Sequence, residues 1–148
     1  MGSWPVLFSM NKERLKSELK KHEGVVLHAY EDHLGFLTIG VGRLIDERRG
    51  GGLSEDEATY LLGNDIDRVI SSLETKFPRL NQYPERIQEA LCQMAFQLGI
   101  TGLMQFKNMI AALEEGDYWG AADAALNSRW AQQTPNRANE IAGMIRGE

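Results

Sequence analysis

The feature that most constrains the fold is a change of pattern at Gly24, where a helical segment gives way to short β-prone segments. Upstream, Leu15 and Leu19 mark one face of a helix at i, i+4 spacing, and Gly24 stands where a left-handed glycine caps a helix end. Between residues 27 and 45, three glycines separate short segments that are rich in apolar residues. The sequence therefore predicts one small antiparallel sheet of two or three strands within a largely helical chain.

Helix signals account for most of the remaining chain. Ser9 or Asn11 can cap the first helix, which runs from residue 12 to residue 22. Ser54 and Glu57 have the spacing of a capping box, and apolar residues then recur at helical spacing until Pro78. Further helices are predicted from Pro84 to Gly99, from 106 to 113, from 118 to 126 after Asp117, and from Thr134-Pro135 towards Ile145. An α+β architecture follows, with a small sheet lobe and a larger helical lobe facing each other across a cleft.

Composition and charge exclude several classes of protein. With 148 residues the chain is long enough for one core, or for two lobes that share a helix. Its formal net charge of −5 argues against nucleic acid or an anionic membrane as the main partner, because both attract clustered Lys and Arg. The single cysteine, Cys92, excludes an intramolecular disulfide, and the three histidines lack the spacing of a zinc site. We therefore expect no zinc site, and we expect Cys92 to be a small buried hydrophobic residue.

Two carboxylates near the predicted sheet form a candidate catalytic pair. Glu23 is the next step along the apolar face of the first helix, in its last turn, where partial burial and the helix dipole would both favour a protonated general acid. Asp32 precedes the turn signal Leu34-Gly35 and should stay ionised in solvent. Two carboxylates in unlike environments can cleave a glycosidic bond. Solvated surface residues give the same pattern, however, and Glu31 is a rival of Asp32.

The spacing around this pair resembles that of a known family. Glu23, eight residues, Asp32, five residues, Thr38 and then Ile39-Gly40-Val41-Gly42 are similar to the catalytic signature of the phage T4-type lysozymes, endolysins that cut the glycan of bacterial peptidoglycan. The resemblance covers about residues 11–146. Four further matches follow in the same order: Ser54-Glu55-Asp56-Glu57-Ala58, Asn64-Asp65-Ile66-Asp67, Phe96 to Gly102, and Ser128 to Ala138.

The resemblance implies a single lysozyme-like domain over residues 1–148. In it, residues 1–10 are an N-terminal extension, 24–53 the sheet lobe, 54–78 a connecting helix, and 84–146 a helical lobe packed with the first helix. A basic residue after the Gly-x-Gly pairs with an aspartate in the family. Arg43 is therefore expected to pair with Asp65 and to tie the sheet lobe to the long helix.

The resemblance also implies roles for the site residues. Glu23 would be the general acid, Asp32 the second catalytic carboxylate, and Thr38 the residue that positions the attacking water. The substrate-binding residues that the family implies are Leu44, Phe96, Gln97 and Arg137.

Three positions of the helical lobe bear on the substrate. Arg137 resembles the family arginine that reaches across the cleft to the catalytic glutamate. Two positions depart from the family: Met109 stands where relatives commonly have a small hydroxyl residue, and Ala124 where they can have an amide. Both differences are expected to alter binding in the outer part of the cleft.

The implied activity is hydrolysis of the β-1,4 bond between N-acetylmuramic acid and N-acetylglucosamine, by direct attack of water with inversion and without metal or cofactor. Bacterial peptidoglycan is then the partner of a monomer that binds no nucleic acid and does not insert stably into membranes. Two other interpretations stay open: a lytic transglycosylase, against which Asp32 and Thr38 speak, and a non-catalytic peptidoglycan-binding module that kept both carboxylates. Because residues 1–9 lack the pattern of a signal peptide, such an endolysin is expected to wait in the host cytoplasm for holin-dependent release to the cell wall.

Overall fold

A computed structural model describes residues 11–45 and 51–148 of the chain. This part of the chain is mostly helical and contains one three-stranded antiparallel sheet, so the predicted α+β class is confirmed. The chain divides into two compact units, Met1–Ala58 and Thr59–Glu148, which are called the first and the second unit below. The predicted N-terminal extension, including Ser9, and residues 46–50 of the predicted sheet lobe lie outside the described residues.

The first helix, α1, spans Lys12–Glu23 and ends where the sequence predicted. Asn11 is its N-cap, since the Asn11 Oδ1 accepts a hydrogen bond from the backbone N–H three residues on, at 2.9 Å. Gly24 follows with φ 79° and ψ 163°, a conformation that only glycine adopts readily and that lies outside the predicted left-handed helical region. The helix therefore stops abruptly and presents Glu23 at its very end.

Three short strands follow α1 in the first unit. They are β1 (Val26–Glu31), β2 (Leu37–Gly40) and β3 (Arg43–Leu44), and they pair antiparallel in the order β1-β2-β3. Thr38 of the central strand lies opposite Tyr30 on one side and Leu44 on the other. A register shift between Val26 and Tyr30 marks a bulge in β1. Thr38 is thereby held at the centre of the sheet.

The long helix α2 (Glu55–Lys76) begins with the predicted capping box. The Ser54 N–H donates to Glu57 Oε1 at 2.8 Å, and the Glu57 N–H donates to Ser54 Oγ at 3.2 Å. The apolar face predicted for the whole helix is buried only near its C-terminal end, where Leu73 enters the core of the second unit. Leu61 and Leu62 are about half exposed, so the periodicity identified the helix but not the extent of its burial.

The second unit is a helical bundle built around α3 (Glu85–Leu103) and α7 (Pro135–Arg146). A short 3-10 helix, Leu80–Gln82, precedes α3. Three helices lie between α3 and α7: α4 (Lys107–Glu114), α5 (Tyr118–Leu126) and α6 (Arg129–Gln133). Every predicted helix is present, and Asp117 caps α5 by accepting from the Gly120 N–H at 2.9 Å. The largest fully buried side chains of this core are Leu73, Ile87, Leu91, Met94, Leu103, Met109, Leu113, Ile141 and Ile145.

Two local features of this bundle differ from the prediction. Gly99, predicted to end its helix, has φ 78° and ψ 161° and kinks α3, which continues to Leu103. The five-residue α6 was not predicted, although Ser128 caps it by accepting from the Ala131 N–H at 3.2 Å.

Cys92 is half-buried, and burial raises the pKa of its thiol. Both observations agree with its predicted role as a small hydrophobic residue rather than a reactive thiol.

Candidate active site

Glu23, the predicted general acid, lies at the C-terminal end of α1 and is exposed. The partial burial predicted for it is wrong, and Leu19, one turn earlier on the same face, is itself 45% exposed. The Glu23 carboxyl nevertheless has a defined neighbour. It lies against Gly42, and a Cβ added to Gly42 would come within 2.7 Å of Glu23 Oε1. Glu23 is therefore exposed at a helix end but rests on the loop that joins β2 to β3.

Asp32 sits in a tight turn between β1 and β2. Its carbonyl accepts from the Gly35 N–H at 2.9 Å, and its Oδ1 accepts from the N–H groups of Leu34 and Phe36, each at 2.9 Å. Backbone donors of this kind stabilise an ionised carboxylate and fix its orientation. The rival carboxylate, Glu31, is the exposed last residue of β1.

Thr38 is only 2% exposed and is the one polar residue among the described residues that is buried to this extent. Its Oγ1 donates to the Phe36 carbonyl at 3.0 Å. The same carbonyl accepts from the Asp32 N–H at 2.8 Å. Phe36 therefore links Asp32 and Thr38 through its main chain: its N–H donates to the Asp32 carboxylate, and its carbonyl accepts from the Thr38 hydroxyl.

Arg43 bonds to a carboxylate other than the predicted one. Its guanidinium donates from Nε to the Gly52 carbonyl at 2.9 Å and from NH2 to Glu57 Oε1 at 2.8 Å. Asp65, the predicted partner, instead pairs with Arg68 one helical turn away. The backbone hydrogen bond from Ser54, helped by the Ser54 side chain and Arg43, holds the pKa of Glu57 below its usual value. The strand end and the first turn of α2 are thus joined within the first unit.

Leu44, the first of the four predicted substrate-binding residues, is half-buried in β3 opposite Thr38. The other three lie in the second unit. Phe96 is 45% exposed on α3 and borders a cavity of about 350 Å³. This cavity is lined by Asp65, Arg68, Val69, Ser72, Ala95, Phe96, Gly99 and Ile100.

Gln97 and Arg137 contact other residues of the second unit. The Gln97 Oε1 accepts from Trp130 Nε1 at 2.9 Å, and this orients the Gln97 amide with its NH2 group as a donor. Trp130 is buried and meets the Phe106 ring edge to face at 5.7 Å, so it belongs to the core. Arg137 is exposed and donates to the Gln93 carbonyl at 3.5 Å.

A second cavity of the second unit, of about 370 Å³, includes Met109 and Ala124, the two positions expected to depart from the family. Met109 is fully buried there, and Ala124 is half-buried. The rest of its lining is mixed: Leu98, Phe106 and Trp130 are apolar or aromatic, whereas Gln105, Asn108, Asn127 and Gln133 carry amides. Met109 and Ala124 thus add apolar groups to a cavity that also offers amide donors and acceptors.

Two contributors to the site were not predicted, Phe36 and Gly42. Both contribute through the main chain, and no role was predicted for Gly42 beyond its place in the Gly-x-Gly motif.

In residues 11–45 and 51–148, no group of three or more acidic, His or Cys side chains is arranged to hold a metal ion. Within the same residues, no helix is both long enough and apolar enough to cross a membrane.

Comparison with known proteins adds a family match over most of the chain. Residues 20–146 match the family described as phage lysozyme. Probable T4-type lysozyme 1 of Dictyostelium discoideum is 28% identical, over 88% of this chain and 92% of that protein. The endolysin of Salmonella phage P22 is 32% identical, over 81% of this chain and 84% of that protein. The pre-baseplate central spike protein Gp5 of Enterobacteria phage T4 is 31% identical over 86% of this chain, which spans only 26% of that spike protein.

Proposed function

This chain belongs to the phage lysozyme family, and from that premise we propose that it is a muramidase of the endolysin type. It hydrolyses the β-1,4 bond between N-acetylmuramic acid and N-acetylglucosamine in bacterial peptidoglycan. The observation that carries this proposal is the hydrogen-bond network in which Phe36 holds both Asp32 and Thr38, in the same compact unit as Glu23. Hydrolysis by direct attack of water uses a pair of carboxylates as acid and base, and a positioned hydroxyl can help to hold the water.

We assign the role of general acid to Glu23. Its exposure at the end of α1 leaves the carboxyl accessible to a polymeric substrate, whose leaving oxygen must receive a proton as the glycosidic bond breaks.

Asp32 and Thr38 act together on the attacking water. The Thr38 hydroxyl donates its one hydrogen bond to the Phe36 carbonyl, so its oxygen can only accept a further hydrogen bond, for example from water. The water donates one of its hydrogens to the Thr38 oxygen in a hydrogen bond. Asp32, ionised and fixed by two backbone N–H groups, takes the other proton from the water as the water oxygen attacks the anomeric carbon. Direct attack from the face opposite the leaving group inverts the anomeric carbon.

Leu44, Phe96, Gln97 and Arg137 are proposed to bind the glycan. The support is chemical: a saccharide is recognised by apolar contacts to its ring faces and by amide or cationic donors to its oxygens. The exposed Phe96 ring offers the first kind of contact. The Gln97 amide, oriented by Trp130, offers the second.

The biological setting is proposed from the endolysins among the relatives. The protein acts as a monomer that needs no metal or cofactor, and it reaches the cell wall by holin-dependent release during phage-induced lysis of the host.

The proposal is tested by digesting purified peptidoglycan with the wild type, with Glu23→Gln and with Glu31→Gln, and by resolving the products by mass spectrometry. We expect muropeptides with free reducing ends from the wild type and from Glu31→Gln, which removes a nearby exposed carboxyl. Release by Glu23→Gln should fall by a factor of about 10² or more, because the general acid is lost.

Other product patterns would identify the alternative activities. Anhydro-muramyl products would mean a lytic transglycosylase, and binding without release by the wild type would mean a peptidoglycan-binding module. Equal loss in both glutamine variants would remove Glu23 from the role of general acid.

A further inference from the structure

The loop between β2 and β3 brings a glycine against the catalytic side chain. Gly42 has φ +68°, and a Cβ built on it would lie 2.7 Å from Oε1, 3.4 Å from Cδ and 3.6 Å from Cβ of Glu23. The first of these distances is too short for any real side chain. The carboxyl of Glu23 therefore occupies the space that a Gly42 side chain would need.

The backbone of this loop is anchored on its C-terminal side. Arg43, the next residue, is held by hydrogen bonds to the Gly52 carbonyl and to Glu57, and it pairs with Ile39 across the hairpin. The Glu23 carboxyl, in contrast, is the far end of a flexible and exposed side chain. An added methyl group at position 42 would therefore displace the carboxyl of Glu23 rather than the loop.

We propose that Gly42 is a positioning residue for Glu23: its missing side chain leaves the space on the hairpin loop in which the carboxyl of the general acid rests. This inference rests on the proposed muramidase function. The catalytic relevance is geometric, because a displacement of about 1 Å in a catalytic group can cost about 10²-fold in rate. Gly42 touches no substrate in this scheme and acts only through Glu23.

Gly40, two residues earlier, offers a matched control. It has nearly the same positive φ, +71°, but a Cβ built on it meets nothing within 4 Å. An alanine at either position therefore suffers a similar backbone strain. Only the alanine at position 42 meets Glu23, so the difference between the two variants isolates that contact.

The experiment compares Gly42→Ala with Gly40→Ala in the release of reducing ends from purified peptidoglycan. We expect similar melting temperatures for the two variants. The kcat of Gly42→Ala should be lower by about tenfold or more, with KM within about twofold, because the acid is displaced while glycan binding is not. Should alanine at a positive φ prevent folding, Gly42→Asn and Gly40→Asn repeat the comparison, since asparagine tolerates this backbone conformation best.

A double-mutant cycle with Glu23→Asp tests whether the effect passes through Glu23. Aspartate is shorter by one methylene and clears the added methyl, so the Gly42→Ala loss should be smaller in the Glu23→Asp background. Equal kcat values for the Gly42→Ala and Gly40→Ala variants, or losses that add without coupling to Glu23, would overturn the proposal while muramidase activity stands. A wild type that releases no muropeptides would overturn both this inference and the proposed function.

Discussion

Phe36 contributes to the candidate site through its peptide groups rather than through its ring. Its N–H fixes the Asp32 carboxylate, and its carbonyl accepts from both the Asp32 N–H and the Thr38 hydroxyl. The position of the attacking water in the proposed reaction thus depends on one turn of backbone. A main-chain anchor of this kind has no rotamers, so it holds its two partners with little loss of entropy when substrate binds.

The role of the Thr38 hydroxyl can be separated from its packing. Thr38→Val keeps the shape of this buried side chain but removes the donor to Phe36 and the acceptor for water. We expect kcat to fall by about tenfold to 10²-fold. The free energy of unfolding should fall by only about 1 kcal/mol, since the Phe36 carbonyl keeps its bond from the Asp32 N–H. Steady-state kinetics and urea unfolding measure the two effects.

Thr38→Ser is the control for this experiment, because it retains the hydroxyl and loses only a methyl group. Its kcat should stay within a few-fold of the wild type at a comparable loss of stability. If serine and valine lowered kcat equally, the hydroxyl would have no part in positioning water.

At the level of single residues, the resemblance to the lysozyme signature implied the three catalytic candidates, but it did not indicate their surroundings. The burial of Glu23 was predicted wrongly because an i, i+4 face shows which residues share a side of the helix, not whether another element covers that side. Gly42 and Phe36 were missed for a related reason. Their contributions depend on the path of the backbone in two turns, and a residue pattern does not encode that path.

At the level of elements, local signals were reliable where the interaction itself is local. The capping box of Ser54 and Glu57 and the cap at Asp117 involve residues three apart, so the sequence contained both partners. The pairing of Arg43 depends on residues fourteen apart and was predicted with the wrong carboxylate. The helix α6 is too short for a periodic pattern, so Ser128 was its only signal.

The start of α2 should make stability depend on pH. The pKa of Glu57 is lowered from 4.5, chiefly by the Ser54 backbone N–H, so Glu57 stabilises the fold above its unfolded pKa. This contribution is lost as the pH falls through the lower, folded pKa. Glu57→Gln should therefore be less stable than the wild type at pH 7, and the difference should shrink towards pH 3. Urea unfolding at both pH values measures it.

Glu55→Gln is the matched control for this effect. Glu55 lies in the same first turn of α2 and faces the same helix dipole, but the capping hydrogen bonds belong to Glu57. Its pH dependence should stay closer to that of the wild type. A gap between Glu57→Gln and the wild type that is as large at pH 3 as at pH 7 would mean that the charge of Glu57 contributes nothing through this cap.

At the level of the whole molecule, the class of fold was predictable because one glycine-punctuated segment interrupts a helical chain. The family match over residues 20–146 agrees with the resemblance seen in the motifs. The predicted lobe boundaries, with a connecting helix at 54–78, stay a prediction. Periodicity alone identified α2 as a helix, but it did not show that Leu61 and Leu62 are about half exposed, because burial depends on elements far away in sequence.

The net charge is a property of the whole molecule with a measurable consequence. Peptidoglycan carries carboxylates, so a chain of net charge −5 should be repelled by its own substrate at low ionic strength. Raising the salt concentration from about 0.01 M to about 0.15 M shortens the Debye length from about 30 Å to about 8 Å. We therefore expect the rate of digestion of purified sacculi, at substrate below KM, to rise over this range rather than fall.

A charge variant tests whether the repulsion belongs to the molecule as a whole. Glu74 and Glu115 are exposed and outside the proposed site, and changing both to lysine adds four charges, which takes the net charge from −5 to −1. This variant should be faster than the wild type at low salt and nearly independent of salt, whereas the charge-preserving pair Glu74→Asp and Glu115→Asp should behave like the wild type. A wild-type rate that falls with added salt would mean that basic residues near the substrate, Arg137 among them, outweigh the net charge. Local attraction would then govern encounter with the cell wall despite the acidity of the chain.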